Sequence, residues 1–273
     1  MMAEEIKRFV EMVSATDVGM VRTHNEDSIS ADPDIGLATV ADGMGGYNAG
    51  EVASGIAVAM IPAEMRKLRA ELDIERASDS EIEKRVEEQA RKVNAAIFNA
   101  AEKDAQYAGM GTTLVFALWH RNKVTVGHLG DSRMYRLRGD GIEQITKDHS
   151  WIQEQIDSGL LTEEQARTSK KKNLITRACG IDPNVVPEVH THPVEQGDIY
   201  LLCSDGLYGM VPDDEICLTV SSLKSNLTLA AQQLVQMAND NGGRDNISVI
   251  LVHVLREYQE RLGFFAKLKS WFT

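Results

Sequence analysis

Four short segments, far apart in the chain, each set an acidic residue beside a short apolar run and a turn. They are Val21-Arg22-Thr23-His24-Asn25-Glu26-Asp27, Thr39-Val40-Ala41-Asp42-Gly43-Met44-Gly45-Gly46, Leu201-Leu202-Cys203-Ser204-Asp205-Gly206 and Gly242-Gly243-Arg244-Asp245-Asn246-Ile247. A fifth, His128-Leu129-Gly130-Asp131-Ser132-Arg133, is a weaker instance. One acid at a strand end is ordinary turn chemistry, because Asp-Gly is a common turn pair. Several such rims brought together would crowd carboxylates that cannot all stay ionised without a counter-charge. A divalent cation supplies one, and an all-oxygen donor set suits Mg2+ or Mn2+ better than zinc.

Gly43, Gly45 and Gly46 let the backbone approach a ligand closely, and a backbone carbonyl is a further oxygen donor. A bare phosphate cradle is the poorer reading of this run, because no Gly-Lys-Ser/Thr follows and Asp42 would repel the anion. Arg22 stands four residues before Glu26, in a segment that reads as a strand followed by a loop. Beside an acidic metal site its guanidinium can grip a phosphate with two parallel hydrogen bonds. The alternative for Arg22 is a salt bridge to Glu26 or Asp27.

The element pattern predicts strands over Gly36–Ala41, Thr112–Trp119, Lys123–His128, Arg133–Arg138, Asp198–Cys203 and Asn246–Leu255. Helices are predicted over Ala49–Leu72 and Ser80–Lys103, the second with Ile82, Val86, Ala90, Val93 and Ile97 on one face. Pro62 is expected to bend or interrupt the first. Shorter helices are predicted over Thr162–Arg167, opened by a Thr-Glu-Glu-Gln capping box, and over Leu227–Asn239. Strands come first, then two helices, then strands again, which points to packed sheets covered by helices rather than a doubly wound parallel sheet.

Acids outnumber bases 41 to 29, a net charge of −12, so there is no electrostatic footprint for nucleic acid. The first ten residues, MMAEEIKRFV, carry two acids where a secretory signal would be basic, and no apolar stretch is long enough for a membrane span. Cys179, Cys203 and Cys217 are odd in number and form no C-x-x-C, so they are expected to be reduced residues of a cytoplasmic protein.

Taken in order, these segments resemble the metal-dependent Ser/Thr protein phosphatases of the PPM type (type 2C), in their short bacterial form. The resemblance rests on Gly19-Met20-Val21-Arg22-Thr23-His24-Asn25-Glu26-Asp27, Val40-Ala41-Asp42-Gly43-Met44-Gly45-Gly46, Gly50-Glu51-Val52-Ala53-Ser54 and Gly109-Met110-Gly111-Thr112-Thr113. It continues through Gly130-Asp131-Ser132-Arg133, Thr146-Lys147-Asp148-His149-Ser150, Ser204-Asp205-Gly206-Leu207 and Gly243-Arg244-Asp245-Asn246-Ile247-Ser248. It implies an α+β fold in which two antiparallel sheets pack as a sandwich with helices on both outer faces. Residues 1–255 would form the phosphatase domain.

By position, the resemblance implies two Mn2+ or Mg2+ ions per chain. Asp42 would bridge them, the Gly43 carbonyl would bind one, and Asp205 and Asp245 would complete the other. Glu26 and Asp27 would act close by or through water, and Arg22 would hold the substrate phosphate. Asp131, with Asp205, matches the acids of a third, weaker metal, with Asp148 as its rival. Residues 151–180, including Asn173-Leu174-Ile175-Thr176-Arg177, would form a variable flap. The implied substrates are phosphorylated proteins, hydrolysed by a metal-activated water opposite a cognate Ser/Thr kinase, by a monomer. Eukaryotic-type members carry His where this chain has Met44, so the proton donor to the leaving group is open, with His24 a weaker candidate. The remaining histidines, His120, His128, His149, His190, His192 and His253, read as strand or loop residues.

Residues 256–273 alternate basic and aromatic side chains, a pattern for a membrane surface or a partner groove, or for packing on the domain itself. Two other functions compete: a non-catalytic phosphoprotein-binding module on the same fold, and a two-metal phosphodiesterase. A full acidic set is superfluous to the first, and the net charge disfavours the second.

Overall fold

The computed structural model describes residues 2–46, 49–162, 165–166 and 174–258. In chain order it runs α1 (Met2–Phe9), β1 (Val10–Asp17), β2 (Asp27–Asp32), β3 (Leu37–Met44), α2 (Ala49–Glu71) and α3 (Asp79–Lys103). Then come β4 (Gly111–Thr112), β5 (Leu114–His120), β6 (Lys123–Leu129), β7 (Arg133–Arg138), β8 (Gly141–Gln144) and α4 (Trp151–Asp157). The chain finishes with β9 (Glu188–Pro193), β10 (Ile199–Cys203), α5 (Asp205–Tyr208), α6 (Asp213–Ser222), α7 (Leu227–Asp240) and β11 (Ile247–Val254).

One sheet has the order β1-β11-β10-β7-β8 and the other β2-β3-β5-β6-β9, with β4 paired to the end of β3. Every pairing is antiparallel. Apolar side chains sort into three layers, as a four-layer stack of helices, two sheets and helices requires. Val40, Val115, Trp119, Val126, Tyr200, Leu202, Ile250 and Val252 fill the space between the sheets. Leu114, Phe116 and Leu118, from alternate positions of β5, turn outward under Ala53, Ala57 and Ile61 of α2 and Val86, Val93 and Ile97 of α3. On the other outer face Leu201, Val249 and Leu251 pack beneath Ile216 and Val220 of α6 and Ala230 and Leu234 of α7. Strands buried on both faces must be apolar at nearly every position, which is why β5, β10 and β11 read as nearly continuous apolar runs. The expected α+β sandwich is therefore the observed fold.

Two local expectations are corrected by the structure. The helix through Pro62 continues without interruption from Ala49 to Glu71, and Pro62 is buried within it. The Arg22 segment is not strand followed by loop: the strand comes earlier, at β1, and residues 18–26 are loop. Lys123–His128 and Arg133–Arg138 belong to separate strands, as expected, and Gly130-Asp131 between them crosses from one sheet to the other. The capping box at Thr162 forms: the Gln165 N–H donates to Thr162 Oγ1 (3.3 Å) and the Thr162 N–H to Gln165 Oε1 (2.9 Å). Residues 163–164 and 167 of that helix, and the tail from residue 259 on, lie outside the described residues. Among the described residues no helix is long and apolar enough to cross a membrane.

Candidate metal centre and phosphate-binding site

The acids of the motifs gather at one end of the sandwich, contributed by both sheets. In the β2–β3 pair, Asp27 and Asp42 are direct cross-strand partners. From the facing sheet come Asp205, which follows β10, and Asp245, which precedes β11, these two strands being neighbours. Asp131 arrives on the crossover between β6 and β7.

Asp42 is fixed by its own backbone. Its N–H donates to Thr113 Oγ1 (2.9 Å), and its carbonyl accepts from the Thr113 N–H (2.8 Å) and from Thr112 Oγ1 (2.9 Å). Gly43 follows where nothing larger fits: a Cβ there would stand 2.2 Å from the Gly50 carbonyl oxygen and 2.6 Å from that of Glu26. The same close approach brings the Glu26 carboxylate against Gly50 in the first turn of α2. Gly206, beside Asp205, is forced in the same way, since its Cβ would lie 2.0 Å from the Asn246 carbonyl oxygen.

Asn246 ties the loop before β2 to the centre. Its side-chain amide donates to the carbonyls of Val18 and His24 (both 2.9 Å), and its Oδ1 accepts the Glu26 N–H (2.8 Å). Ser204 Oγ donates to Asp27 Oδ2 (2.7 Å) and itself accepts the Ser248 N–H (3.0 Å). Asn246, Ser204, Thr112 and Thr113 lie inside the motifs, but the sequence reading gave them no role. The signal available for them was a small polar residue directly beside a motif acid or glycine at the end of an apolar run.

The electrostatics of this cluster follow from burial and from like charge. Burial, and then the charges of Asp27, Asp205, Asp131 and Asp245, push the Asp42 carboxyl well above the usual carboxylate range. Burial raises Asp27 to about 6 even though Ser204 favours its ionised form. Asp205 is raised to about 7 by burial and by Asp131, Asp245 and Asp27, and Asp131 to about 6 by burial and Asp148. Asp27 Oδ1 and Asp205 Oδ1 are buried without a hydrogen-bond partner. A buried carboxylate oxygen without a partner is costly, and a cation relieves both that cost and the mutual repulsion. An oxygen-only set with orphaned acceptors therefore fits Mg2+ or Mn2+.

Arg22 pairs neither with Glu26 nor with Asp27. Its Nη2 donates to Asp245 Oδ2 at 2.7 Å, and that contact holds the guanidinium even more firmly protonated. Asp148 is engaged elsewhere: Arg133 grips it through Nε–Oδ1 (2.9 Å) and Nη2–Oδ2 (2.7 Å), and Gln144 donates to it as well. Arg133 also lies 3.7 Å over the Tyr208 ring, while the Tyr208 hydroxyl donates to the Asp131 carbonyl (2.9 Å). Of the two rivals, Asp131 faces the acidic cluster and Asp148 is neutralised by Arg133. His24 is exposed on the loop that Asn246 holds.

The model of the family described as Protein phosphatase 2C matches residues 21–251. A Serine/threonine phosphatase stp from Listeria innocua is 39% identical over 242 residues, covering 87% of this chain and 93% of that protein. The crystal structure of the Mycobacterium tuberculosis serine/threonine phosphatase PstP/Ppp superposes with a TM-score of 0.82 at 34% identity, over 91% of this chain and all of that one. The catalytic domain of PstP in complex with two manganese ions superposes with a TM-score of 0.78, also at 34% identity, over 90% of this chain and 99% of that one. The chain belongs to the protein phosphatase 2C family and is a protein phosphatase of the serine/threonine class.

Proposed function

We propose that the chain hydrolyses phosphoserine and phosphothreonine esters in proteins, with water as the nucleophile, at a centre that holds two Mn2+ or Mg2+ ions and opposes a Ser/Thr kinase. The observation that carries this reading is the buried group of Asp27, Asp42, Asp131 and Asp205, each with its pKa raised and two with an orphaned oxygen. Asp42 and the Gly43 carbonyl, with Asp205 and Asp245, would hold the ions, with Glu26 and Asp27 reaching them directly or through water. Asp131 with Asp205 would take a third, weaker one. When bound, the ions supply Lewis-acid activation of water and neutralise phosphoryl charge.

The protein's own share is positioning and charge. Thr112 and Thr113 fix the Asp42 backbone, so the main chain that carries its carboxylate is already in place. Arg22, about half exposed and held by one oxygen of Asp245, can turn its fork to the non-bridging oxygens of a phosphate. Asn246 keeps the loop that carries it in place. A new P–O bond forms to water as the bond to the Ser or Thr oxygen breaks, and that oxygen takes a proton. Met44, the last residue of β3, has none to give, so the donor is water or, as the weaker candidate, His24 on the loop that Asn246 holds. Cys179 and Cys203 are buried, with thiol pKa values raised by that burial, which suits them to packing rather than nucleophilic attack. Three free cysteines accord with a reducing, cytoplasmic setting.

The test is hydrolysis of a phosphothreonine peptide with and without Mn2+, beside p-nitrophenyl phosphate and its bis-ester. Metal-dependent cleavage of the peptide and the monoester is expected. Undiminished cleavage in metal-free buffer, or preference for the bis-ester, would overturn the reading.

A further inference from the structure

In the motif Thr146-Lys147-Asp148-His149-Ser150, His149 has no task in the proposed reaction, yet it touches three separate parts of the site's frame. The His149 N–H donates to the Gly130 carbonyl (2.9 Å), and its Nδ1 accepts the Gly130 N–H (3.2 Å). Both backbone groups of the residue before Asp131 are thus held by one histidine. Gly130 adopts φ +100°, and a Cβ there would fall 2.7 Å from the Thr113 side chain, so the turn is also pressed from the Asp42 side. The His149 carbonyl accepts the Thr176 N–H (2.9 Å), and next to it Ser150 bridges to Ile175 and the Trp151 N–H donates to the Leu174 carbonyl (2.8 Å). These contacts join residues 149–151 to residues 174–176 within the segment 151–180.

The orientation of the ring is set from behind. Because Nδ1 accepts, the proton sits on Nε2, which donates to Glu188 Oε2 (3.3 Å). His128, the cross-strand partner of Glu188, stacks on His149 at 4.7 Å and donates from Nε2 to the Lys147 carbonyl (3.0 Å). One nitrogen of each ring and one Glu188 oxygen lie within 4.8 Å of one another, the spacing of a metal site. The stacked planes and the Gly130 N–H aimed at His149 Nδ1 make the trio a hydrogen-bonded brace instead, since a histidine ligating through Nε2 keeps its proton on Nδ1.

We propose that His149 is a positioning residue: by fixing the Gly130 peptide it aims the Asp131 carboxylate at Asp205, and it links that aim to the root of the 151–180 segment. The inference rests on the reading of Asp131 and Asp205 as ligands of a weaker cation.

Two substitutions separate the two ends of the ring. His149→Asn places an amide oxygen near the position of Nδ1 and keeps an acceptor for the Gly130 N–H. His149→Gln reaches the position of Nε2, keeps the donor to Glu188 and leaves the Gly130 N–H unmet. Mn2+ binding to the full chain is measured by calorimetry and by Mn2+ EPR, with thermal unfolding alongside and Asp131→Asn as the reference. The wild type is expected to bind a weak Mn2+ that Asp131→Asn loses. His149→Asn should keep that affinity, and His149→Gln should lose about tenfold or more, although the two variants unfold at similar temperatures. Equal weakening in both, in step with their loss of stability, would reduce His149 to a packing residue and overturn the proposal. So would full affinity in His149→Gln. A wild type with two Mn2+ sites and none that depends on Asp131 would overturn the Asp131 reading and this proposal with it, while peptide hydrolysis would remain intact.

Discussion

Arg22 and Asp245 hold each other at 2.7 Å across the mouth of the acidic cluster, so the cation proposed for phosphate and an acid proposed for metal are each other's partner. Both side chains are about half to a third exposed, at 49% and 34%. An ion pair so hydrated contributes only about 0–1 kcal/mol, so exchanging it for a cation and a phosphate costs little.

Substitution of Arg22 therefore tests binding more than folding. Arg22→Ala should leave the unfolding temperature nearly unchanged and lower kcat/KM for a phosphothreonine peptide by about 10- to 100-fold, the worth of a charged hydrogen bond. Arg22→Lys should recover part of this, because it restores the charge without the fork. Steady-state kinetics on the three proteins decide it; wild-type kcat/KM in Arg22→Ala would remove Arg22 from the site.

The raised carboxyl groups fix a pH dependence of the metal-free protein. Asp205, folded at about 7 against 3.8 for the free group, contributes stability that is complete below about pH 4 and disappears as pH rises through 7. The buried His128, lowered to about 4, works in the opposite sense: its contribution is present above about pH 6.5 and is lost as pH falls toward 4. A comparison with Asp205→Asn cancels the histidines. Without metal, the variant should match the wild type near pH 5 and exceed it by about 1–3 kcal/mol at pH 8. Calorimetric scans from pH 5 to 8 measure this, and a variant less stable than the wild type at pH 8 would contradict it. Saturating Mn2+ should reverse the order, since only the wild type keeps the full ligand set.

Removal of the ions should silence the enzyme reversibly. EDTA is expected to abolish peptide hydrolysis, excess Mn2+ or Mg2+ to restore it, and Asp42→Asn to defeat the restoration. Iodoacetamide should have no effect on native activity, because Cys179 and Cys203 are fully buried, Cys179 is pushed up to about 12, and the partly buried Cys217 lies on α6 beside Asp140, outside the acidic cluster. Activity lost to alkylation of the native protein, or retained after chelation, would count against the proposed chemistry.

Asn246, whose own N–H donates to Asp245 Oδ1 (2.9 Å), should matter although its side chain carries no charge. Asn246→Ala frees three backbone groups of residues 18–26 and should cost about 2–4 kcal/mol in urea unfolding. At permissive temperature it should also raise the peptide KM, because Arg22 is carried on the freed loop. A variant that loses stability but keeps its KM would confine Asn246 to folding.

The strands legible in the sequence are those inside the sheets: β3, β5, β6, β7, β10 and β11. The four not anticipated, β1, β2, β8 and β9, are the edges of the two sheets. An edge strand is held by hydrogen bonds to one neighbour and buries fewer side chains, so β8, with a single partly buried residue, shows little apolar pattern. The continuous helix through Pro62 was hidden for a related reason. Packing of its apolar face against the sheet outweighs one missing backbone hydrogen bond.

The sequence by itself determined which residues carry charge beside turns, and hence that folding would have to reconcile several carboxylates with one another. Asp42, Asp205 and Asp245 were legible because an acid beside a buried run stands out locally. Only the tertiary structure decided the pairings. Arg22 meets Asp245 rather than Glu26, Arg133 neutralises Asp148 and leaves Asp131 facing the cluster, and His149 takes both backbone groups of Gly130. Each depends on strand pairing that brings separate segments together: the loop after β1 meets the turn before β11, the chain after β8 returns to β7, and His149 reaches the crossover between β6 and β7.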